Sequence, residues 1–389
     1  MDSRIIIKKR SSNNQDNNSN PKMQKPIQKI IFGSPGTGKS HRIKHEILPS
    51  LGIKTLENLE STVFHPEYTY GDFVGKLIPV TRGEKVRYSF YGGHFLVALS
   101  KAYKKILNVY ENPTKDKNFK SLPEEEKEVL IIQARQEACE KAENIALVID
   151  EINRGNSSAI FGTIFQLLDR EDNGWSSYQI NISEIELLKI LELIGVKEQT
   201  LANNQSQYKF PGEGDWVNEY TTFQNRLDCL DISLQDRSIK IPPNLSIVGT
   251  MNTSDNSIYF MDSAFKRRWE WEFVDWDEST PEPANYPAFD VDNWRKLVKQ
   301  INIFIKSHYD SVRGIEDKQI GYFFIKPPVT SKDIQNKLMF FLWDSVFNRD
   351  KKPLIDLLKV SRSELVTFGD FTKLHNKFIE KIMAFPSEV

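Results

Sequence analysis

The sequence predicts an α/β fold in which a parallel sheet is followed by a small helical lid domain. Short apolar runs of strand length alternate with segments of helical periodicity from residue 29 onward. The first of these runs ends in a glycine-rich segment that opens a helix, and beyond a proline-rich stretch at 281–287 the pattern is helical. Strands that alternate with helices indicate a parallel sheet, and such sheets bind ligands at the carboxyl ends of their strands.

Each element is predicted from its periodicity and its boundary residues. Apolar runs of strand length predict the strands Lys29–Phe32, Thr62–Phe64, Ile145–Ile149, Leu245–Gly249 and Trp269–Val274. Helical spacing predicts the helices His41–Leu48, Phe95–Leu107, Pro123–Lys141, Ile160–Leu168 and Trp294–Ile305. We expect Pro49 to end the first helix, because proline has no backbone N–H to donate.

These elements divide the chain into a tail and two domains. Residues 1–28 are mostly polar and predict a disordered tail, because a tract such as SSNNQDNNSNPK cannot bury apolar surface. Residues 29–278 form the expected α/β domain, and residues 279–389 the helical lid. The segment 172–238 is interpreted as an irregular, polar insertion.

Composition narrows the function classes. The chain has 52 Lys and Arg residues against 53 Asp and Glu residues, so the molecule as a whole has no excess of positive charge for nucleic acid. Its two cysteines, Cys139 and Cys229, form no CxxC pair, which excludes a zinc framework and suits a reducing, cytoplasmic location. No apolar run is long enough to span a bilayer.

The first glycine-rich segment fits the phosphate-binding pattern G-x-x-x-x-G-K-[ST] in full and lies between a strand and a helix. Its residues are Gly33, Ser34, Pro35, Gly36, Thr37, Gly38, Lys39 and Ser40. Glycines allow backbone N–H groups to surround phosphate oxygens, and the helix N-terminus adds partial positive charge. Lys39 is predicted to contact the β and γ phosphates, and the Ser40 hydroxyl to bind Mg²⁺. A chance glycine-rich turn is the alternative, which the flanking elements disfavour.

Two further predicted strands end in polar residues suited to hydrolysis. Asp150 and Glu151 follow Ile145–Ile149, which predicts that Asp150 faces the Mg²⁺ site and that Glu151 accepts a proton from the attacking water. An acidic turn without function is the alternative. Asn252 follows Leu245–Gly249 and is predicted to orient that water or to contact the γ phosphate.

A basic cluster, Lys266-Arg267-Arg268, follows a short helical run that begins at Asp262. A fixed guanidinium suits the spread charge of a phosphoryl transition state, so the cluster is a candidate arginine finger. A basic surface patch is an equally good explanation of these residues alone.

Four segments of the chain, taken together, resemble the McrB group of AAA+ GTPases. They are similar to the family patterns F-H-x-S-Y-S-Y-E-D-F, D-E-I-N-R-A-N, M-N-T-A-D-R-S and D-x-A-L-R-R-R-F, and they occupy Phe64–Phe73, Asp150–Asn156, Met251–Ser257 and Asp262–Trp269. Ile320-Gly321 is a weaker match in the lid. Two residues depart from the third pattern: Ser254 replaces Ala, and Asn256 replaces Arg.

The resemblance implies an AAA+ P-loop NTPase that uses Mg²⁺ with GTP, or ATP as the alternative, and that works in a ring, expected to be a hexamer. It implies a McrC-like endonuclease partner, a role in restricting foreign DNA, and DNA contact through a partner or separate subunit. It adds Asp255 to the catalytic candidates and favours Arg268, then Arg267, as the finger acting on a neighbouring subunit. A MoxR- or dynein-related remodelling ATPase and a nucleotide-stabilised scaffold with little hydrolysis remain alternatives.

Overall fold

The computed structural model of this chain describes residues 25–83, 85–201, 206–211, 214, 216–217, 220–253, 259–277, 291–326 and 328–386. Most of the predicted tail, residues 1–24, and the predicted start of the lid, residues 279–290, lie outside the described residues. None of the described helices combines the length and the apolar character needed to cross a membrane.

A five-stranded parallel sheet forms the centre of the fold, as the sequence predicts. The strands, numbered in chain order, are β1 (Gln28–Gly33), β2 (Leu59–Val63), β3 (Gly75–Arg82), β4 (Lys85–Gly92), β5 (Ile145–Asp150), β6 (Ile180–Asn181), β7 (Lys197–Thr200), β8 (Ser206–Lys209), β9 (Ser238–Ile239), β10 (Leu245–Asn252) and β11 (Glu270–Phe273). The central sheet has the order β11-β1-β10-β5-β2, and every neighbouring pair in it is parallel. Strand β1, which carries the glycine-rich loop, therefore lies between β10 and β11, the last two strands in the chain.

Helices and short ribbons surround this sheet. The helices are α1 (Lys39–Arg42, continued by a π-helical turn Ile43–Ile47 and by Leu48–Ser50), α2 (Tyr70–Phe73), α3 (His94–Val109), α4 (Glu124–Lys141), α5 (Ser157–Phe161, continued by the 3₁₀ turns Gly162–Leu168), α6 (Glu184–Ile194), α7 (Tyr220–Leu227) and α8 (Ser263–Lys266). Helix α1 extends one residue beyond Pro49, because the π-helical turn shifts the bonding register and Leu48 N donates to Ile43 O.

The lid is helical, as predicted. Its helices are α9 (Val291–Ser307), α10 (Ile315–Lys318), α11 (Ser331–Asp333, continued by π-helical turns Ile334–Met339 and Leu342–Val346), α12 (Lys352–Leu358), α13 (Phe368–Lys373) and α14 (His375–Met383). Helix α9 buries Trp294, Ile301 and Phe304 against apolar side chains of the later helices. The lid thus has its own apolar core, separate from the core around the sheet.

The segment 172–238 is not irregular, and our interpretation of it was wrong on this point. It contains α6, α7 and the β7–β8 hairpin. Helix α6 begins with a capping box between Ser183 and Glu186, and its Ile190 and Ile194 are fully buried in the main core. These apolar side chains are buried against the sheet domain, so the segment is part of that domain's core.

An aromatic cluster connects three of the family-like segments. Phe64 and Phe73 lie in the first segment, Phe161 just after the second, and Phe265 and Trp269 in the last. The ring of Phe161 lies 4.7 Å from that of Phe73 and 5.1 Å from that of Phe265, centroid to centroid. The cluster therefore fixes the positions of the loops that follow β2, β5 and β10 relative to one another.

Candidate nucleotide-binding site

The glycine-rich loop leaves β1 at Gly33 and enters α1 at Lys39. Gly36 and Gly38 have φ angles of 78° and 88°, in the left-handed region that side chains disfavour. The Lys39 ammonium donates hydrogen bonds to the carbonyl oxygens of Gly33 and Ser34, both at 2.9 Å. These bonds place the charge of Lys39 inside the turn that the loop makes, where the sequence predicts the phosphates.

The two acidic residues lie at the tip of β5 as predicted. The Asp150 carboxylate accepts a hydrogen bond from the Thr250 hydroxyl of β10. Glu151 adopts φ 54°, a strained angle for a residue with a side chain, and its N–H donates to the same hydroxyl at 3.2 Å. Its carboxylate accepts a hydrogen bond of 2.6 Å from the side-chain amide of Asn252. The predicted base is thus in direct contact with Asn252, the predicted sensor that would orient the water or contact the γ phosphate.

Strand register explains why these residues lie together. In the parallel pairing of β1 with β10, Gly33 is opposite Asn252, and Thr253 N donates to Gly33 O at 3.3 Å. In the pairing of β10 with β5, Gly249 is opposite Ile149, so β5 reaches Asp150 beside Thr250. The carboxyl ends of three adjacent strands therefore present the phosphate loop, the sensor and the acidic pair at one edge of the sheet.

The loop after β5 is held by its own polar residues. The Asn153 side chain donates to Asn252 O at 3.1 Å, and the Asn156 side chain caps α5 by accepting from Ala159 N at 3.2 Å. The Ser158 hydroxyl donates to Asp262 at 2.9 Å, which joins this loop to the start of α8. Asp255, Ser254 and Asn256 lie outside the described residues.

The two arginines of the basic cluster have different surroundings. The side chain of Arg268 is 7% exposed, donates to the Asp169 carboxylate at 2.7 and 3.0 Å, and lies over the Phe165 ring at 4.5 Å. Arg267, at the end of α8, is exposed. Of the two arginines, Arg268 is therefore enclosed within the chain and Arg267 is exposed.

Two known proteins resemble the chain along much of its length. It is 29% identical over 359 residues to the Bacillus subtilis (strain 168) protein "Type II restriction enzyme BsuMI component YdiS", covering 88% of this chain and 85% of that protein. It is 20% identical over 257 residues to the "Type IV methyl-directed restriction enzyme EcoKMcrB subunit" of Escherichia coli (strain K12), covering 66% of this chain and 37% of that subunit. The chain is thus similar to the McrB-like proteins of restriction systems.

No family model matches this McrB-like chain. Among solved structures it aligns with "Structure of C. elegans PCH-2" at 12% identity and a TM-score of 0.19, over 92% of this chain and 61% of that one. A TM-score this low does not superpose two folds, so the α/β assignment rests on the parallel sheet and its strand order. The McrB-like sequence, the complete phosphate loop and the acidic pair identify the protein as a P-loop NTPase in general terms.

In this McrB-like protein the lid contacts the phosphate loop directly. The Ser34 hydroxyl donates to Glu316 O at 2.6 Å, Gly321 N donates to Pro35 O at 2.9 Å, and Phe323 N donates to Gly36 O at 2.8 Å. A side chain at Gly36 would place its Cβ 2.4 Å from Phe324 N, so this glycine is required by the lid as well as by its φ angle. The weak family match at Ile320-Gly321 was the one sequence feature at this contact, and it did not indicate the role of the contact.

Mg²⁺ with a nucleoside triphosphate is the group that the fold family implies for this site. Oxygen ligands suit Mg²⁺, and the Ser40 hydroxyl is exposed at the start of α1 while Thr250 orients the Asp150 carboxylate. The carbonyl oxygens of Pro35 and Gly36 accept hydrogen bonds from backbone N–H groups of the lid. These two oxygens therefore point away from the part of the loop that encloses Lys39. The residues present therefore fit the group.

Proposed function

We propose that the chain is an AAA+ NTPase, with GTP favoured over ATP, and the motor subunit of a McrBC-like modification-dependent restriction or antiphage system. It would assemble into a ring, expected to be a hexamer, activate or drive a McrC-like endonuclease, and reach specific DNA through that partner or a separate subunit. The observation that carries the hydrolytic part is the 2.6 Å hydrogen bond between Asn252 and Glu151 at the strand edge that presents the phosphate loop.

The residues divide the work of hydrolysis. Lys39 would hold the β and γ phosphates, and Ser40 with Asp150 would hold Mg²⁺, which neutralises phosphate charge when bound. Glu151 would accept a proton from the attacking water, and its strained backbone together with the bond from Asn252 fixes the carboxylate for that task. The Asn252 amide would orient the same water.

The hydrolytic site would be completed by a neighbouring subunit. We propose Arg267 as the arginine finger, because it is exposed at the end of α8 while Arg268 is enclosed by Asp169 and Phe165. Arg268 would instead hold α8 in place, which makes it a positioning residue for the finger. GTP use is supported by the resemblance alone, since the phosphate loop does not contact the base.

Glu151→Gln tests the hydrolytic role. Turnover should fall by about two to four orders of magnitude while nucleotide binding remains, because the base is lost and the phosphate contacts are kept. Glu67→Gln, an exposed change in the loop after β2, is the matched control and should hydrolyse normally. Turnover of Glu151→Gln at the wild-type rate would place the base elsewhere, and a wild-type chain with no turnover, alone or with the endonuclease, would favour the scaffold alternative.

Mixing two inactive variants tests the ring. Arg267→Ala and Lys39→Ala subunits should recover activity together, because some interfaces then pair an intact phosphate loop with an intact finger. Sedimentation or mass photometry with nucleotide confirms that mixed rings form. Mixed rings that stay inactive would exclude a finger that acts between subunits. GTP and ATP compared in one competition assay would decide the base, and a clear ATP preference would overturn the GTP proposal.

A further inference from the structure

The β3–β4 ribbon is the feature that the nucleotide site does not use. Each strand has eight residues, and across the described residues the two strands pair with each other alone. The ribbon follows α2 and leads into α3, so it is inserted between β2 and the rest of the sheet domain. Most of its described side chains are exposed, including Leu77 at 51%, Val86 at 57% and Tyr88 at 72%.

The pairing register gives the ribbon two different faces. Residues directly opposite in an antiparallel pair share a face. Lys76 pairs with Tyr91, Val80 with Arg87, and position 82 with Lys85, so these residues form one face, which we call the cationic face. The other face pairs Leu77 with Phe90, Pro79 with Tyr88 and Thr81 with Val86.

This second face, which we call the apolar face, borders the main body of the domain near Phe90 and is exposed at Leu77, Val86 and Tyr88. Tyr88 and Phe90 border a groove of about 470 Å³ whose opposite side includes Leu188 and Leu191 of α6. Ser89, which pairs with Ile78 on the cationic face, borders the same groove, whereas Lys85 and Arg87, nearer the tip of that face, do not line it. Lys85, Arg87 and Tyr91 on that face are all exposed.

Charge is concentrated in this ribbon. Residues 75–92 contain four Lys and Arg residues and one acid, a net charge of +3, whereas the rest of the chain has 48 Lys and Arg against 52 acids, a net charge of −4. Lys76 is paired with Asp72 at 2.6 Å, so Lys85 and Arg87 nearer the tip are the cations best placed for an outside partner. A two-stranded ribbon with exposed cations and a tyrosine has the chemistry that contacts phosphate backbones.

We propose that the cationic face of the β3–β4 ribbon binds the phosphate backbone of DNA without sequence preference. The described part of this surface carries too few cations in one chain for tight binding, and phosphate contacts by themselves carry no sequence information. Its contribution is salt-sensitive contact with DNA that another subunit selects, and several copies in an assembly would add to one another. The proposal is independent of nucleotide hydrolysis, so either can fail without the other.

The test uses the full chain with a non-hydrolysable GTP analogue and a labelled mixed-sequence duplex. Affinity is measured by anisotropy over a series of salt concentrations. The double variant Lys85→Glu with Arg87→Glu should bind about tenfold or more weakly, and the slope of log affinity against log salt should fall by about 2, since two phosphate contacts are lost. Thermal unfolding and basal turnover should be unchanged, because both residues are exposed and distant in sequence from the catalytic loops.

The matched control is Lys332→Glu with Lys373→Glu on the lid, which changes the net charge equally at exposed positions. It should keep wild-type affinity and salt slope. Equal losses in both double variants would show a general charge effect and overturn the proposal. Unchanged DNA binding by the ribbon variant would also overturn it, and if that variant at the same time no longer bound the endonuclease, the cationic face would be a protein-binding surface instead.

Discussion

Gly321→Ala is expected to weaken nucleotide binding although the residue lies in the lid. A Cβ added at Gly321 would lie 2.3 Å from Gly36 O and 2.5 Å from Thr37 Cα. Both are backbone atoms of the phosphate loop, so no side chain can rotate away to make room. The φ angle of Gly321 is −88°, which alanine accepts without strain, so the effect would come from the steric contact.

The magnitude follows from the two backbone hydrogen bonds that fix the lid to the loop. To relieve the contact, the lid segment must move by about 1 Å, which breaks or stretches the bonds from Gly321 N to Pro35 O and from Phe323 N to Gly36 O. Each is worth about 0.5–1.5 kcal/mol net, so the loss is about 1–3 kcal/mol. If nucleotide binding requires the loop in this position, affinity falls by about 5- to 150-fold.

A fluorescent triphosphate titrated into the purified variant measures this loss. Gly369→Ala in α13 is the matched control, because its Cβ would meet only Thr367 Oγ1 at 3.5 Å, an ordinary contact. It should bind nucleotide as the wild type does, and both variants should be checked for folding by circular dichroism. Wild-type affinity in a folded Gly321→Ala chain would refute the reasoning that the lid positions the phosphate loop.

Three further outcomes are expected. Lys39→Ala should abolish detectable nucleotide binding in the same titration, and near-normal affinity would rule out its phosphate role. Arg170→Met should lower the free energy of unfolding, measured in urea, by about 3–5 kcal/mol, because the Arg170 guanidinium donates hydrogen bonds to four backbone carbonyl oxygens that would lose their partner. The control Arg362→Met, at an exposed position, should change this free energy little. Burial raises the pKa of the Cys139 thiol to about 11 and that of the Cys229 thiol to about 12. Iodoacetamide at pH 8 should therefore label neither thiol in the folded chain and both thiols in denaturant. Rapid labelling of the folded chain would contradict the burial of these thiols.

Much of the nucleotide site was determined by the sequence itself. A phosphate loop needs glycines, a lysine and a hydroxyl at fixed spacing between a strand and a helix, and all of these are neighbours in the chain. The acidic pair and Asn252 are equally local, since each follows an apolar run of strand length. Their meeting could be expected too, because the carboxyl ends of parallel strands lie at one edge of a sheet.

Other elements carried local signals that our sequence analysis did not use. Helix α6 begins with Ser183 and Glu186 in a capping-box pattern ahead of an apolar run, which predicts a helix start inside the supposed irregular segment. Strand β4 alternates polar and apolar residues from Lys85 to Phe90 after a turn at Gly83, which is typical of a hairpin. Polar loops around these elements dominate the composition of each region, so the composition alone does not indicate the helix or the hairpin.

The tertiary structure alone decided the rest. Arg267 and Arg268 are adjacent and chemically identical, and only the packing of Asp169 and Phe165 around Arg268 distinguishes the enclosed residue from the exposed one. The lid's contact with the phosphate loop joins Gly321 to Pro35, which are far apart in the chain. Such contacts depend on how separately folded elements pack, and because many sequences would give the same helices and strands, local patterns cannot specify them.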